Sequence, residues 1–358
     1  MKIAIVGMGV AGAYLASRLN QHHDITGFDM LKKDNFDAVC AWGTSRHGIA
    51  EFASRCGLDF EKYVLHDGID MKVDLGDDNV HVPLKGLVNF DKLKFIQDLI
   101  GDTKVHYGKY VSRGELVGNY DLIVDATGLT RPLLPRIKED SLVPCVQHKI
   151  KFKKAPFDDF YIRPFNGLSG YFWYFPLEEN VAHVGGGDIY KRHIGEIQKF
   201  VEEYDCEVLT KVGRPVRILP PSKCKPFYDG KIVGVGESIG TVFPMLGEGI
   251  IPSLECAEIL VENLNDLEAY EKAVLKKFEV YEAVHRFVEA RHNPGVGVLR
   301  QVIDLSKTFI YLKKNEKRFG LVANPISLLK VVASMRELKA EEIQAIKVPK
   351  QVIKVPNS

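Results

Sequence analysis

Residues 2–29, KIAIVGMGVAGAYLASRLNQHHDITGFD, decide the fold of this chain. The short apolar run KIAIV is typical of a buried parallel strand, and a good helix-forming stretch, AYLASRLNQ, follows the glycines. ITGFD then predicts a second strand, which ends in an acid. Strand, glycine-rich turn, helix, strand and acid in this order indicate a dinucleotide-binding unit.

The three glycines of GMGVAG, residues 7–12, have different physical roles in such a unit. Gly7 permits the tight turn, Gly9 lets the backbone approach a pyrophosphate, and Gly12 lets the helix pack closely on the strand. The helix N-terminus offers free N–H groups and a positive dipole end to phosphate. Asp29 is placed to accept hydrogen bonds from an adenosine ribose. The alternative is a glycine-rich turn that binds no nucleotide.

The composition is that of a globular protein. With 358 residues, 46% of them hydrophobic, the chain is long enough for a large core and two or three domains. Lys and Arg total 48 against 47 Asp and Glu, so no overall field attracts nucleic acid and no such partner is predicted. Six scattered cysteines without a CxxC pair or zinc-ligand spacing predict a reduced cytoplasm and no metal. No stretch reaches the roughly 18 apolar residues of a membrane span.

Further buried strands and glycine turns extend the α/β unit along the chain. YDLIVDATG (120–128) and KIVGVGES (231–238) each predict a strand that runs into a glycine turn, and residues 247–264 predict a helix. Residues 71–83, around GDDN, predict a hairpin. Residues 146–188 alternate, are rich in aromatic residues and contain few helix signals, which indicates an inserted antiparallel sheet.

These features divide the chain into six segments. Each belongs to the α/β domain, to the antiparallel sheet or to a C-terminal helical region. The predicted dinucleotide-binding α/β domain occupies residues 1–75, 89–145 and 226–285. The hairpin 76–88 contributes to the inserted sheet, residues 146–225 form the antiparallel domain, and residues 286–358 form a C-terminal helical region with a loose tail.

Five aromatic residues in a row, 171–175, are closed by Pro176. Because side chains alternate along a strand, Tyr171, Trp173 and Phe175 would line one face, and the two aromatic residues between them the other. One face can serve an ordinary core. The second face needs an apolar partner as well, which is either more core or a large apolar ligand in a pocket.

Taken together, four separated motifs resemble the flavoproteins with the p-hydroxybenzoate hydroxylase fold. GMGVAG resembles their ADP-binding fingerprint, YDLIVDATG their second FAD motif, and VGVGES with PMLGEGI their third. Within that superfamily, the chain resembles the geranylgeranyl reductases, because residues 171–176 fit their YxWxFP pattern and Cys40 in AVCAWG stands where they carry a cysteine near the flavin. The resemblance implies a Rossmann-like FAD-binding α/β domain with an inserted antiparallel β-sheet substrate domain and a C-terminal helical region.

The resemblance also implies a set of FAD contacts, with some departures from the usual motif. Glu237 replaces the usual Asp of the third motif, Asp29 stands where Glu is usual, and Asn89 stands where Arg is frequent. Glu is one methylene longer than Asp, so the contact with the ribityl chain is expected to shift. The predicted FAD-binding residues are Gly7, Gly9, Val10, Ala11, Gly12, Asp29, Arg46, Val111, Ala126, Thr127, Gly128, Gly236, Glu237, Gly247, Gly249 and Ile250.

The activity that this resemblance implies is reduction of the C=C bonds of an isoprenoid lipid, as in archaeal digeranylgeranylglycerophospholipids. Such a chain has no polar handle beside its double bonds, so its binding energy must come from apolar contact. The region of Cys40, or a bound water, is then the candidate proton donor, and aromatic faces can stabilise cationic character. The alternatives are a buried apolar role for Cys40 and core packing for Trp42.

The predicted catalytic residues are Cys40, Tyr171 and Trp173, and the predicted substrate contacts are Trp42, Tyr171, Trp173, Phe175 and Pro176.

Three functions stay open on the sequence alone. The first is the lipid reductase, the second is an FAD-dependent monooxygenase that hydroxylates an apolar or aromatic substrate, and the third is a flavoprotein kept as a binding or regulatory module. The sequence shows no second GxGxxG, so the electron donor is left open between NAD(P)H and a ferredoxin-type protein. The expected partners are an apolar isoprenoid lipid and, through Lys-rich C-terminal segments, the surface of a membrane.

Overall fold

A computed structural model describes residues 1–37, 40–292 and 297–335 of the chain. The strands are β1 (Lys2–Val6), β2 (Asp24–Asp29), β3 (Gly43–Ser45), β4 (Val64–Asp67), β5 (Asp70–Asp74), β6 (Asn79–Pro83), β7 (Leu87–Phe90), β8 (Lys104–Tyr107), β9 (Leu122–Asp125), β10 (Leu142–Val143), β11 (Cys145–Phe152), β12 (Tyr161–Pro164), β13 (Gly170–Glu178), β14 (Val181–Asp188), β15 (Cys206–Gly213), β16 (Val216–Arg217), β17 (Tyr228–Asp229) and β18 (Ile232–Gly234). The α-helices are α1 (Val10–Leu19), α2 (Arg46–Arg55), α3 (Lys92–Ile100), α4 (Arg113–Val117), α5 (His193–Glu203), α6 (Ile250–Glu262), α7 (Leu267–Lys277), α8 (Val280–Ala290), α9 (Val298–Lys314), α10 (Glu316–Phe319) and α11 (Pro325–Ser334). Short 3₁₀ helices cover Lys33–Asn35, Phe60–Tyr63, Gly128–Thr130, Asn166–Leu168, Pro221–Lys223 and Gly236–Ile239.

The first sheet contains six strands in the order β17-β18-β9-β1-β2-β8. Its five strands from β18 to β8 are parallel, and β17 pairs antiparallel at the edge. β1 pairs with β2 on one side and with β9 on the other, so the chain reverses its direction of winding at β1. Ligands of open α/β sheets bind beyond the carboxyl ends of the strands at such a point. The glycine-rich turn follows β1 there.

The second sheet contains seven strands in the order β15-β11-β14-β13-β12-β5-β6. Its pairs are antiparallel except for β12 with β5. One face packs against α5 through a core cluster that includes Phe172, Tyr174, Val184, Ile197 and Phe200. The opposite face carries Tyr171, Trp173 and Phe175, which are only half-buried. The sheet therefore has one face in an ordinary core and one face toward a cavity.

Smaller elements complete the molecule around these two sheets. A three-stranded sheet, β3-β7-β4, and the pair β10-β16 lie beside them. In the C-terminal region, α8 packs on α9. The rings of Phe243, Tyr281, Tyr311 and Phe319 form one aromatic cluster there, with centroids 5.0–6.2 Å apart. In the described part of the chain, no helix combines the length and the apolar character that crossing a membrane requires.

The predicted elements appear close to their expected places. The hairpin forms as β5 and β6, and both strands join the seven-stranded sheet, with β5 beginning at Asp70 rather than inside segment 76–88. The inserted sheet is antiparallel over residues 145–188, as expected. The division into six segments stays a prediction. The loose tail predicted within 286–358 lies beyond residue 335 and so outside the described residues.

Candidate active site

A cavity of about 930 Å³ joins the glycine turns of the six-stranded sheet to the open face of the seven-stranded sheet. This volume is near the upper end of the roughly 300–1,000 Å³ that ligand pockets usually enclose. Predicted residues that line it are Gly7, Gly9, Val10, Ala11, Asp29, Cys40, Trp42, Val111, Ala126, Thr127, Gly128, Tyr171, Trp173, Phe175, Glu237, Gly247, Gly249 and Ile250.

At one end of the cavity, the three glycines of the first turn have the geometry that their proposed roles require. Gly7 has φ +91°, and a Cβ there would come 2.6 Å from the carbonyl oxygen of Ala126. A Cβ at Gly12 would come 2.0 Å from the carbonyl oxygen of Gly7, so the helix packs closely only because Gly12 has no side chain. A Cβ at Gly9 would meet no atom within 4 Å, although Gly9 lines the cavity. Space beside the Gly9 backbone is what a bound pyrophosphate would need.

Asp29 stands at the end of β2, 8% exposed, and also lines the cavity. Its Oδ2 accepts a hydrogen bond from the Met8 amide and its Oδ1 accepts one from the Leu31 amide, both at 2.9 Å. The carboxylate thus holds the glycine turn against the end of the second strand. Each carboxylate oxygen can accept more than one hydrogen bond, so the arrangement is compatible with an added ribose hydroxyl.

A second helix N-terminus that lines the cavity is formed by the third motif. Gly247, Gly249 and Ile250 line the cavity where α6 begins, and no side chain caps the helix from Gly249. The Glu248 carboxylate accepts a hydrogen bond from the Ile251 amide at 2.9 Å and lies 3.3 Å from the Arg318 guanidinium. Burial raises the pKa of Glu248, and the charge of Arg318 opposes that shift. The start of α6 therefore lines the cavity with its Ile251 amide already bound to a side chain.

Glu237 also lines the cavity. Its Oε1 accepts a hydrogen bond from the Arg217 amide at 2.9 Å, and its Oε2 lies 3.1 Å from the Arg214 guanidinium. The longer side chain is therefore already held by two donors, one of them a cavity-lining arginine. The expectation of a shifted ribityl contact stays a prediction.

Arg217 is a buried residue of this region whose importance the sequence pattern did not reveal. Its guanidinium binds the Asp140 carboxylate at 2.8 Å and donates to the backbone carbonyl oxygens of Leu129 and Glu237, each at 2.8 Å. It therefore joins the turn of the second motif to that of the third. Nothing local in VRI, residues 216–218, marks it, because its partners come from distant parts of the chain.

The wall of the cavity opposite the glycine turns is built from three rows across β11, β14 and β13. Strand register places Gln147, Gly185 and Trp173 in one row, with Cys145, Gly187 and Tyr171 in the row beside it and Lys149, His183 and Phe175 in the row on the other side. The central strand has only glycine in two of the three rows. The aromatic side chains of β13 can therefore lie over β14. The glycines that make this possible, Gly185 and Gly187, are visible in the sequence VGGGD, residues 184–188. They were not among the predicted site residues.

Two of the three wall aromatics have polar groups with contrasting surroundings. Tyr171 donates its hydroxyl proton to the carbonyl oxygen of Leu246 at 2.6 Å, and burial raises its pKa. The indole Nε1 of Trp173 is buried and has no hydrogen-bond partner among the described residues. Phe175 packs edge-on against Phe160 at 4.9 Å. The wall thus offers mainly apolar ring surface, with one donor left unused.

Cys40 and Trp42 line the cavity beside this wall. Trp42 is 9% exposed and meets the His183 ring edge-on, with centroids 4.7 Å apart. The amide of Trp42 donates to Cys40 Sγ at 3.3 Å, and the Gln147 side chain donates to the carbonyl oxygen of Cys40 at 2.9 Å. Gln147 and Trp173 share a row two strands apart, so this hydrogen bond connects the segment at Cys40 to a strand whose backbone lies roughly 10 Å from that of Trp173.

Four predicted site residues do not line the cavity. Gly12 acts through helix packing, and Gly236, with φ +73°, shapes the turn before Glu237. The carbonyl oxygen of Pro176 accepts a hydrogen bond from the Asn89 side chain, so Pro176 fixes the end of the aromatic strand to β7. Arg46 is held away from the cavity by Glu61 and Asp67, at 3.0 and 2.9 Å. The structure thus gives Arg46 a place in a surface ion-pair cluster rather than beside the cofactor residues.

Comparison of the sequence with known proteins finds distant relatives, while no family model matches the chain. An uncharacterized protein of Methanocaldococcus jannaschii is 24% identical over 344 residues, which cover 80% of this chain and 86% of that protein. Digeranylgeranylglycerophospholipid reductase 2 of Methanothermobacter thermautotrophicus is 32% identical over 34% of this chain and 33% of its own length. The digeranylgeranylglycerophospholipid reductase of M. jannaschii is 29% identical over 45% of this chain and 46% of its own length. The matches to the two reductases thus span less than half of either protein.

Solved structures similar to this one cover nearly the whole chain. A geranylgeranyl bacteriochlorophyll reductase-like protein from Thermoplasma acidophilum has a TM-score of 0.68 at 14% identity, covering 96% of this chain and 98% of that one. PqsL, a probable FAD-dependent monooxygenase from Pseudomonas aeruginosa, has a TM-score of 0.60 at 14% identity, covering 86% and 99%. The tryptophan C-6 flavin-dependent halogenase Tar14 has a TM-score of 0.64 at 16% identity, covering 97% and 95%.

These comparisons confirm the predicted fold class, that of the p-hydroxybenzoate hydroxylase-like flavoproteins, and the resemblance to the geranylgeranyl reductases. The prediction of an FAD-dependent enzyme of this class agrees with the relatives as well. At identities this low, the solved structures show the fold alone, and a fold hosts many reactions. The residues present fit FAD, because the uncapped N-terminus of α1, a glycine with free space beside it and an acid at the end of β2 all line one cavity, together with the first residue of α6.

Proposed function

We propose that this chain is an FAD-dependent reductase of C=C double bonds in a geranylgeranyl-type isoprenoid lipid. The observation that carries the proposal is the continuity of the cavity, which runs from the glycine turns to a wall of Tyr171, Trp173 and Phe175. When bound, FAD would supply a hydride to the substrate. The partial sequence matches to two digeranylgeranylglycerophospholipid reductases support the same substrate class.

The wall residues suit an isoprenoid because they bind it by apolar contact. Each Å² of apolar surface removed from water contributes about 25 cal/mol, so a long chain binds well without any hydrogen bond. Trp173 and Phe175 remain half-buried in the protein itself and have ring surface left for a ligand. Their faces also stabilise cationic character as an unactivated double bond is protonated.

The cofactor end would be held mainly by the chain's backbone, together with the carboxylate of Asp29. Gly9, Val10 and Ala11 at the start of α1 would bind the pyrophosphate, and Asp29 the ribose. The start of α6, at Gly249 and Ile250, would place its amides near the negative end of the flavin ring. Closure of the cavity around both ligands excludes water, which strengthens these electrostatic contacts.

The test is an anaerobic single-turnover experiment. The protein, its flavin reduced with dithionite and the excess reductant removed, is mixed with a geranylgeranylated glycerophospholipid. We expect the oxidised flavin absorbance to return without oxygen and the lipid mass to rise by two hydrogens per reduced bond. A flavin that stays reduced until air is admitted, with an oxygenated product afterwards, would contradict the reductase. That result would favour the monooxygenase, which the same fold also hosts in PqsL.

An external electron donor is part of the proposal. The described residues contain one parallel sheet with one glycine fingerprint, and this is assigned to FAD. We therefore propose a donor that visits the flavin, either NAD(P)H or a ferredoxin-type protein. Anaerobic flavin reduction, followed in separate mixtures with NADH, NADPH and reduced ferredoxin, identifies the donor. Slow reduction by all three would contradict both choices.

A membrane surface is the proposed source of the lipid. On α9, the exposed apolar residues Leu299, Val302, Ile303 and Ile310 follow helical spacing, and Lys307 and Lys314 are exposed on the same helix. Exposed apolar side chains beside lysines suit an anionic bilayer. We expect the protein to sediment with anionic vesicles and the Leu299→Glu/Val302→Glu variant to sediment several-fold less. Equal sedimentation of both proteins would contradict this role of α9.

A further inference from the structure

Lys92, the first residue of α3, is a nearly buried lysine that lines the cavity. Lys92 is 9% exposed, and its ammonium group forms no ion pair with any carboxylate of the described residues. Burial of an ammonium group without a compensating anion is costly. The position is therefore expected to serve a partner that carries or develops negative charge.

The group that Lys92 contacts is the thiol of Cys40. Its Nζ lies 3.1 Å from Cys40 Sγ, and the Trp42 amide approaches the same sulfur at 3.3 Å. Two N–H donors thus converge on one sulfur atom. Nearby cations and N–H donors stabilise the thiolate form of a cysteine relative to the thiol.

The other ionisable groups around Cys40 do not offset this effect. Nδ1 of His183 on β14 donates a hydrogen bond to the carbonyl oxygen of Ala41 at 3.2 Å, and burial, together with the charges of Lys149 and Lys92, lowers the pKa of His183 to about 4. His183 is therefore neutral at pH 7. Lys149 on β11 lies with its Nζ 5.6 Å from the Trp42 ring centroid. Lys92 on α3 and Lys149 on β11 therefore bring positive charge to this segment, and His183 on β14 brings none.

We propose that Lys92 is a positioning residue that enables Cys40 to act as the proton donor of the reaction, an inference that rests on the function proposed above. The S–H bond of Cys40 breaks, its proton forms a C–H bond with one alkene carbon, and the electron pair stays on sulfur. The other alkene carbon receives the hydride. The ammonium of Lys92 and the amide of Trp42 stabilise the thiolate that is left, and water returns the proton to it.

Cysteine alkylation tests the effect of Lys92 on the sulfur without using activity. The protein as purified is treated with iodoacetamide at pH 7.5, and the rate at each cysteine is followed by peptide mass spectrometry. Cys145 is the internal reference, because it lines the same cavity, and burial raises its pKa to about 12. We expect Cys40 to react at least tenfold faster than Cys145.

The variants Lys92→Met and Lys92→Arg then isolate the charge. Met keeps the length of the side chain without the ammonium, and Arg keeps a cation. We expect Lys92→Met to slow alkylation of Cys40 at least tenfold with Cys145 unchanged, and Lys92→Arg to recover most of the rate. The same rate at Cys40 in wild type and Lys92→Met would overturn the proposal. Circular dichroism and bound-flavin absorbance check that each variant is folded, and Lys92→Gln replaces Met if that variant is not.

Turnover separates this inference from the proposed function. If lipid reduction is present in the wild type and falls at least tenfold in both Lys92→Met and Cys40→Ser, the proton-donor assignment is supported. If both variants reduce the lipid at the wild-type rate, the reductase stands and the assignment falls. If no variant and no wild-type protein reduces the lipid while the alkylation result holds, the substrate assignment falls and the effect of Lys92 on the sulfur stands.

Discussion

The indole ring of Trp173 lies across Gly185 of the neighbouring strand. The two residues are paired in register between β13 and β14, and a Cβ at Gly185 would come 2.6 Å from Cζ2 of the ring. Heavy atoms do not approach this closely, so any side chain at position 185 must displace the ring or the strand. The orientation of the cavity wall thus depends on a missing side chain on the adjacent strand.

Substitution Gly185→Ala is expected to impair turnover and also to lower stability, because its Cβ would come 2.6 Å from the Trp173 ring and 2.7 Å from the carbonyl oxygen of Val146. The methyl group would push the Trp173 ring out of its place in the wall, and we expect the rate of lipid reduction to fall at least tenfold, with bound flavin unchanged. Gly213→Ala, on β15 of the same sheet, is the matched control, because a Cβ there meets its nearest atom at 3.5 Å, an ordinary contact. Equal activity of the two variants would contradict the role of Gly185.

Substitutions at Gly9 and Gly12 should separate cofactor binding from folding. A Cβ at Gly9 meets nothing within 4 Å, so the apo form of Gly9→Val should melt within a few degrees of the wild type while losing FAD, because the side chain fills the space for the pyrophosphate. Gly12→Ala should instead lower the melting temperature of the apo form, because its Cβ would come 2.0 Å from the carbonyl oxygen of Gly7. Thermal melts with and without FAD measure both effects. A Gly9→Val protein that retains full flavin absorbance would refute the nucleotide assignment.

The sequence predicted those structural features that are determined by residues close together in the chain. The turn of residues 7–12, the hairpin of β5 and β6, and the alternation of residues 171–175 were all foreseeable, because each depends on glycine placement or on periodicity within a short segment. The interpretation of Tyr171, Trp173 and Phe175 as one face was confirmed by the burial pattern of β13.

Contacts between distant segments were not foreseeable in this way. Arg217 joins two turns through partners at 129, 140 and 237, and Lys92 reaches Cys40 across 52 residues of sequence. Arg46 illustrates the reverse case, because its position beside a cavity-lining segment suggested a cofactor contact, yet Glu61 and Asp67 hold its guanidinium elsewhere. Which cation meets which anion is decided by tertiary packing, which one sequence does not display.

Alanine substitutions at adjacent positions of β13 should give opposite results. Phe172 is 3% exposed and belongs to the core under α5, so Phe172→Ala should lower the free energy of unfolding by about 3–5 kcal/mol. Trp173 faces the cavity, so Trp173→Ala should reduce turnover or lipid affinity at least tenfold with a smaller loss of stability. Urea unfolding and the anaerobic lipid assay measure the two quantities. A Trp173→Ala protein with normal activity and a collapsed melting temperature would assign that residue to the core.

The stability of the protein should fall in mild acid because of buried histidines. His193 is fully buried, its ring nitrogens have no partner among the described residues, and burial lowers its pKa to about 4, with Asp188 partly opposing the shift. The unfolded chain binds a proton near pH 6.5, whereas the folded chain does so only near pH 4. Stability is therefore fully present above about pH 6.5 and declines as pH falls toward 4, by up to about 1.4 kcal/mol per pH unit for this one residue.

Urea unfolding between pH 7 and pH 5 tests this dependence with two variants. His193→Phe removes the group that takes up the proton, so its stability should fall less steeply with acid than that of the wild type. His22→Gln is the control, a substitution at an exposed histidine. A His193→Phe slope identical to the wild-type slope would show that other groups cause the acid dependence.

Loss of Arg217 should weaken both the fold and the grip on FAD. Its side chain is 4% exposed and pairs with Asp140, so Arg217→Met leaves a partly buried carboxylate without its cation and is expected to cost about 3–5 kcal/mol. The same change releases the carbonyl oxygens of Leu129 and Glu237, so the second and third motif turns lose their link and the Kd for FAD should rise at least tenfold. Arg163→Met is the matched control, because Arg163 is 47% exposed in its pairs with Asp74 and Glu196 and should cost at most about 1 kcal/mol. Urea unfolding of the apo proteins and titration with FAD measure the two effects separately. If Arg217→Met lost stability but bound FAD as tightly as the control, Arg217 would support the fold without holding the cofactor turns together.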